Sequence, residues 1–376
     1  MSSMKVLHIF NEIRYSGAEI MYADASPLFL DAGIEMVVLS TGNIPGEFAE
    51  QFRLKGIEVK HVRLPENTHN LLFLFKYFRY IYQYIVTNKI DVVHVHRATY
   101  FWFFAFTSWV ARKRSIRTVH SVFKSRKLTW IKAFIERFTA RNLFGVVFQT
   151  IGESVYLNEL YYYRNPSVRI NNWYNKERFF PQESEETKRQ LRDKLNIPQD
   201  VFVIISSGSC TPGKNHHDIV RALQGINKKI KCLYVHLGKG HTETEEKQIA
   251  EDLQVSDKIM FLGNRNNVRD YLIASDVFVM PSKFEGLSIA SIEAMGCARP
   301  SILYDSPGLR DLIKEDDTGF LIKKDYKEII EKVLWFAEHP ESAKTMGQCA
   351  YQSASANYSM ETGVKKIVSL YKGEIV

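Results

Sequence analysis

The sequence predicts an α/β protein with two parallel-sheet domains in tandem, on three observations. At 376 residues the chain exceeds what one hydrophobic core organises. Short aliphatic or β-branched runs alternate with helical stretches, the grammar of strand–helix–strand units. That alternation breaks once, around RINNWYNKERFFPQESEETKRQ, where polar and charged residues replace the apolar runs.

In the first half, residues 5–10, 35–40, 57–62, 91–96, 116–121 and 144–150 read as strands; in the second, 201–207, 231–238, 258–263, 277–282 and 300–304. Each half is Rossmann-like by this pattern. The expected division is 1–180 for a first domain and 181–358 for a second, with 359–376 as a closing helix. In that tail Met360, Val364, Ile367, Val368 and Tyr371 recur at helical spacing behind Ser359, a suitable N-cap.

Composition narrows the class. The four cysteines, Cys210, Cys232, Cys297 and Cys349, form no CxxC pair, which argues against a disulfide framework or a zinc site and fits a reducing compartment. MSSMKVLHIFNEI has no charged region followed by a long apolar run, and no segment reaches about 18 apolar residues, so the expectation is a cytoplasmic protein. Charge is uneven. Residues 71–141 hold fourteen Lys or Arg against Asp91 and Glu136, a net of +12 within a chain whose total is +8.

The chemistry concentrates in PSKFEGLSIASIEAMG (281–296). Parallel sheets bind ligands at the carboxyl ends of their strands, and a strand ends just before this stretch. Glu285 therefore stands where a ligand would sit. Gly286 permits close approach, and Leu287 and Ser288 lead into a helix whose first amides suit an anion such as a diphosphate. A largely helical separation between Glu285 and Glu293 would rise about 12 Å, the reach from a ribose to a sugar across a pyrophosphate. Carboxylates accept hydrogen bonds from paired hydroxyls, so the two acids suit the two ends of a nucleotide sugar. From spacing alone, a loop acid and a solvated helix residue fit equally well.

The stretch resembles the E-x7-E motif of the family 4 glycosyltransferases, and SPGLRDLIKEDDTGFLI (306–322) is similar to that family's continuation. The resemblance implies the GT-B architecture, two Rossmann-like domains facing across a cleft with a C-terminal helix packing back toward the first. It also implies a retaining transfer, with Glu285 on the donor sugar, the backbone of Gly286, Leu287 and Ser288 on the diphosphate, and Glu293 on the ribose.

Other positions carry the resemblance further. In GSCTPGKNHHDIVRAL (208–223), Lys214 occupies the position of a diphosphate-binding lysine, whereas Ser209 replaces the arginine usual five residues earlier. Arg14, Arg265 and Lys283 are the candidate substitutes for that cation. YSGAEI resembles the family's Gly-Gly loop, with Gly17 as its remaining glycine, and an ordinary strand-to-helix turn reads the same way. His120, ending IRTVHS, matches a histidine of the donor-sugar pocket. His94 and His96 share one face of a strand by alternation and, lacking a third ligand, read as core or cleft wall. Asn264 and Arg265 of FLGNRNNVRDYL stand where relatives contact the base. Glu315, Asp316 and Asp317 read as a solvated turn.

The basic segment contains LLFLFKYFRYIYQYIV (71–86), YFWFFAFTSWVA (100–111) and SRKLTWIKAFIERFTARNLF (125–144). The run at 100–111 reads as a cover for the sheet. In 125–144, Arg126, Lys127, Lys132 and Arg137 alternate with Leu128, Trp130, Ile131, Phe134, Ile135 and Phe138, which suits an anionic membrane surface. No nucleic-acid recognition motif accompanies the charge. The expectation is thus a retaining hexosyltransferase at the inner face of the cytoplasmic membrane, moving a sugar from a nucleotide diphosphate donor, UDP first among them, to a hydroxyl of a glycan or lipid-linked acceptor in envelope polysaccharide biosynthesis. No cofactor and no metal for chemistry are expected. The alternatives are a GT-B phosphorylase or epimerase, or a noncatalytic nucleotide-sugar binder, the last made conceivable by Ser209.

Overall fold

The computed structural model describes residues 3–65, 70–122, 127–182 and 184–374, without the side chains of Lys127 and Leu128. Lys124 and Arg126 of the basic segment lie outside the described residues. The chain divides into two compact units, Met1–Asn172 with Met360–Val376, and Trp173–Ser359.

The first unit is built on strands β1 (Met4–Phe10), β2 (Ile34–Ser40), β3 (Glu58–His61), β4 (Val92–Val95), β5 (Arg114–Val119), β6 (Val147–Thr150) and β7 (Val168–Arg169). They form one sheet in the order β3-β2-β1-β4-β5-β6-β7, and every pairing is parallel. The central strands are apolar runs because helices cover both faces of such a sheet, and Val6, Leu7, Ile9, Val93 and Ile116 are fully buried. All six expected strands form. β7 is too short for a periodic signal to mark it.

The second unit repeats the plan with β8 (Phe202–Ser207), β9 (Cys232–Leu237), β10 (Ile259–Phe261), β11 (Val277–Met280), β12 (Ser301–Tyr304) and β13 (Gly319–Ile322). Their order is β10-β9-β8-β11-β12-β13, again all parallel. Both sheets therefore follow the doubly wound 3-2-1-4-5-6 order, whose strand direction of travel reverses beside the first strand of each. That switch point lies between β1 and β4 in one unit and between β8 and β11 in the other.

The division between units falls at 172/173, where the sequence placed it near Phe180. Packing explains the position. Trp173 and Tyr174 are buried, Tyr174 N donates to Tyr358 O at 3.1 Å, and a Cβ on Gly296 would come within 2.5 Å of the Tyr174 ring. Residues 173–182 are thus strapped to the second unit, with Arg269 stacked 3.5 Å over the Phe180 ring. The closing helix, Met360–Lys372, belongs to the first unit, where Tyr371 is buried.

The basic segment is only partly surface. Arg97 is buried, donating to Thr41 Oγ1 at 2.8 Å, and Arg117 donates to the Val95 and Thr118 carbonyls. Arg137 is no surface cation either, because it pairs doubly with buried Glu159, at 2.8 and 2.9 Å. Ile131, Ile135 and Phe138 of the helix Lys127–Asn142 are about half exposed, at 48%, 52% and 50%, and form one apolar stripe. The helix Phe101–Val110 buries Phe101, Phe104 and Ala105 as expected of a sheet cover, yet exposes Trp109. No helix among the described residues is long and apolar enough to cross a membrane.

Candidate functional site

Lys214 and Glu285 meet at the switch point of the second sheet. One enters from the loop after β8, the other from the loop after β11, and Lys214 Nζ lies 2.6 Å from Glu285 Oε1. Ser282 Oγ donates to the same oxygen at 2.6 Å. Ion pair and hydroxyl are only partly accessible, the side chains of Lys214 and Glu285 keeping 23% and 13% exposure. A charge-assisted bond in such surroundings is stronger than a surface pair, and it leaves no net charge stranded before a ligand arrives.

Backbone packing fixes the Glu285 loop. Glu285 N donates to Pro307 O at 2.9 Å, and Lys283 N donates to Gly213 O at 2.8 Å, tying the β11 loop to the β8 loop. Gly308 has φ +77°, and a Cβ there would sit 2.6 Å from the Glu285 and Gly286 carbonyl oxygens. Only glycine allows that approach. Ser288 then caps the helix Ile289–Gly296, its hydroxyl accepting from Ser291 N at 3.3 Å. Because the helix begins at Ile289, it supplies only about 6 Å of the rise toward Glu293, and the loop supplies the rest. Gly286, Leu287 and Ser288 are buried, and Glu293 is half-buried.

The other predicted residues are placed as follows. Ser209 is exposed on the β8 loop; Asn264 and Arg265 are exposed in the turn after β10. Lys283, one of the candidate replacement cations, is anchored by its backbone beside Gly213; Arg14 of the first unit pairs with Glu12 at 2.9 Å. Sequence reasoning overlooked Lys239, whose side chain crosses Gly263, where a Cβ would lie 2.6 Å from its Cε. It also overlooked Ser282. A hydroxyl three residues before Glu285, at the end of a buried strand, was the available signal. Glu315, Asp316 and Asp317 are exposed in a turn, with Glu315 Oε2 accepting from Leu321 N.

In the first unit the switch point carries histidines. His8 of β1 pairs in register with His94 of β4, so His94 and His96 do have a third neighbour. His120 Nε2 is 3.0 Å from His96 Nδ1, His96 Nε2 is 3.0 Å from His8 Nδ1, and His8 Nε2 is 3.3 Å from the Tyr371 hydroxyl. Tyr371 in turn is 2.7 Å from His94 Nδ1, and His94 Nε2 is 2.6 Å from Thr118 Oγ1. Burial holds the rings neutral: it lowers His8 and His120 to about 3, and His94 and His96 well below the usual range. His8, His94 and His96 are close enough to surround a metal ion. Their ring nitrogens, however, are consumed by one another, by His120, by Tyr371 and by Thr118, so they form a hydrogen-bonded relay and not an open ligand set. Gly17 opens the helix Gly17–Asp24 after extended Ser16, whose hydroxyl donates to Glu19. Glu19 is buried, and burial raises its carboxyl.

Known proteins share the sequence pattern and the fold. The family model for "Glycosyltransferase Family 4" matches residues 15–178, and that for "Glycosyl transferases group 1" matches 187–353. The chain is 29% identical over 199 residues to the putative glycosyltransferase EpsD of Bacillus subtilis, covering 52% of each protein. It is 27% identical over 261 residues to the UDP-Gal:alpha-D-GlcNAc-diphosphoundecaprenol alpha-1,3-galactosyltransferase of Escherichia coli, covering 65% of each. The chain thus spans between about half and two thirds of these curated relatives. Among solved structures, a glycosyltransferase from Rickettsia africae matches with TM-score 0.82 at 18% identity over 99% of both chains. Anabaena HepE, solved with UDP and glucose, matches with TM-score 0.82 at 17% identity over 98% of this chain and 99% of that one. The fold is therefore GT-B.

Proposed function

The chain belongs to the family 4 glycosyltransferases, and from that premise we propose that it transfers a sugar, with retention, from a nucleotide diphosphate donor to a hydroxyl of a glycan or lipid-linked acceptor in envelope polysaccharide synthesis. The observation that carries the reading is the Lys214, Glu285 and Ser282 cluster at the switch point of the second sheet. An ammonium and a carboxylate held 2.6 Å apart beside a capped helix start match the two ends of a sugar diphosphate.

In this reading the incoming diphosphate takes the Lys214 ammonium and the amides of Gly286, Leu287 and Ser288. Glu285, released from the lysine and still bonded by Ser282, accepts hydroxyls of the transferred sugar. Glu293 holds the ribose, and the turn at Asn264 and Arg265 holds the base. With no protein nucleophile assigned, rate comes from positioning and from stabilising the departing diphosphate, which needs no bound metal. Lys283 and Lys239, both on loops of the same sheet edge, supply the charge that Ser209 does not.

UDP is the donor nucleotide in this proposal, in keeping with the E. coli relative's UDP-Gal and with HepE, solved with UDP. Thermal stabilisation of the full chain by UDP-, GDP-, ADP- and CMP-sugars tests it, since a ligand of the native state raises apparent stability. A selective shift with UDP-sugars is expected. No shift with any nucleotide sugar, checked by calorimetry, overturns the donor site.

The acceptor reading rests on the first unit. The exposed stripe of Ile131, Ile135 and Phe138 beside Lys132 suits an anionic membrane surface, and a pocket of about 170 Å³ whose lining includes Phe134, Phe138, Arg141 and Arg164 pairs apolar with cationic groups. Four free cysteines fit a reducing compartment, so the assigned place is the inner face of the cytoplasmic membrane. The full chain should sediment with vesicles containing anionic lipid and remain in the supernatant with neutral ones. Equal recovery in both supernatants removes the membrane from the proposal.

A further inference from the structure

The second unit holds a buried cluster that the transfer reaction does not use. Cys210 follows Ser209 on the β8 loop, His236 lies on β9, and Glu246 lies on the helix Glu243–Asp252; all three are buried. Their potential ligand atoms lie within 4.8 Å of one another. Cys210 Sγ is 3.1 Å from His236 Nε2. Tyr234 Oη is 3.0 Å from His236 Nδ1, and Thr242 Oγ1 donates to Glu246 Oε1 at 2.8 Å.

These outer bonds orient the cluster and leave its inner atoms facing one another. Glu246 Oε2 is buried and meets no nitrogen or oxygen donor among the described residues, its carboxyl being faced, Thr242 aside, by the Cys210 thiol alone; His216 Nε2 is likewise buried without a partner, its ring edge-on to His236 with centroids 4.4 Å apart. His217 Nε2 is buried as well, with only the Glu245 carboxylate 3.5 Å away. A thiol is a weak donor, so a buried carboxylate oxygen served by it alone keeps much of its desolvation cost. A cation removes that cost. Thiolate, imidazole and carboxylate together are the donor set of zinc.

We propose that Cys210, His236 and Glu246 bind zinc, or a similar thiophilic divalent cation, in a structural site that pins the Ser209–Lys214 loop to β9 and to the helix Glu243–Asp252. On binding, the Cys210 thiol releases its proton to solvent and its sulfur coordinates as thiolate. His236 coordinates through Nε2 while its Nδ1–H donates to the Tyr234 oxygen, and Glu246 coordinates through Oε2 while Thr242 keeps Oε1. Tetrahedral bonds of about 2.3 Å to sulfur and 2.0 Å to nitrogen separate those two atoms by about 3.5 Å, so the present spacing needs to open by only a few tenths of an ångström. A water completes the fourth position.

Close packing already ties these elements together. A Cβ on Gly240 would lie 2.1 Å from Cys210 O, and Cys210 N donates to Lys239 O at 3.2 Å. The ligands are 26 and 10 residues apart in sequence, a spacing that resembles no cysteine motif. That is why a reading by cysteine pairs argued against zinc.

The experiment is cobalt titration of the chelator-treated full chain, without any nucleotide sugar, so that its outcome is separate from that of the donor reading. About one cobalt per chain should bind, with a thiolate-to-cobalt charge-transfer absorption that zinc displaces and Cys210→Ser abolishes. Thr242→Val should keep the absorption and weaken cobalt binding roughly 10- to 100-fold. No charge-transfer absorption in folded protein, or absorption that survives Cys210→Ser, overturns the site. Should Cys210→Ser fail to fold, an unchanged affinity in Thr242→Val overturns it.

Discussion

The two units place opposite chemistry at the same point of the same sheet plan. At the switch point of the second sheet stands an ion pair, Lys214 with Glu285, partly open to solvent. At that of the first stands a chain of neutral histidines, His120 to His96 to His8, closed by Tyr371 and His94. Topology decides where a site forms, and side chains decide what it does. The charged edge is suited to an anionic ligand that exchanges for a resident ion pair. The histidine edge, with both nitrogens of most rings engaged, is suited to holding a fixed geometry and to passing or withholding a proton.

The comparison breaks first at the ion pair. Glu285→Gln keeps the shape and removes the charge, and it should lower kcat by about 10²- to 10³-fold once the donor is identified, the scale of losing one preorganised electrostatic contact. Lys214→Ala should cost a similar factor. Because the two groups act on one ligand and on each other, the double variant should lose much less than the product of the two factors. Steady-state kinetics on all three proteins decides it. An unaffected rate in either single variant removes that residue from the site, and fully multiplicative losses would mean that the pair does not act as a unit.

Much of this was legible in the sequence, for identifiable reasons. Parallel strands buried on both faces are continuous apolar runs, so β1, β2, β4, β8 and β11 announce themselves. Glu285 and Glu293 are legible because a motif of local spacing carries them. What was hidden is what depends on non-local pairing. His8 carries no signal of its own in the sequence, and only register sets it against His94. Arg137 looked like a membrane-facing cation until Glu159 took it inside. The unit boundary was misplaced because Trp173 and Tyr174 read as linker, although their rings pack into the second unit. Gly308 shows the same limit: its need for positive φ follows from the close approach of the Glu285 carbonyl, which no local pattern encodes.

A smaller effect sharpens the first-unit side of the comparison. The Tyr371 hydroxyl joins His8 to His94 and belongs to the closing helix, so Tyr371→Phe leaves the space filled but strands ring nitrogens in a buried setting. The expected cost is about 1–3 kcal/mol, felt in the first unit. Amide hydrogen exchange resolves the units: protection should fall across β1 and β4 and stay unchanged across β8 and β11. Equal loss in both sheets would show that the closing helix stabilises the whole chain and that the histidine chain is not a feature of its own unit.

The finest test is the pH dependence of that unit. His8 and His120 are held to about 3 by burial, against an unfolded value of 6.5, so the folded state stays deprotonated where the unfolded state takes up protons. The stabilisation is therefore fully present above about pH 6.5 and is lost progressively as pH falls toward 3, each such histidine adding a slope of up to about 1.4 kcal/mol per pH unit. His236 of the second unit, lowered to about 4, contributes in the same direction, so a whole-chain measurement mixes the two. His120→Asn separates them. His120 is half-buried at the end of the hydrogen-bonded histidine series, and its removal should shed about one proton from the slope measured by exchange at β1 and β4 while leaving β8 and β11 as they were. The raised carboxyl of Glu19 acts in the opposite sense but is common to both proteins and cancels in the difference. A slope that does not change would mean that His120 is protonated in the folded unit as readily as in the unfolded chain, and the first switch point would then be a second charged edge.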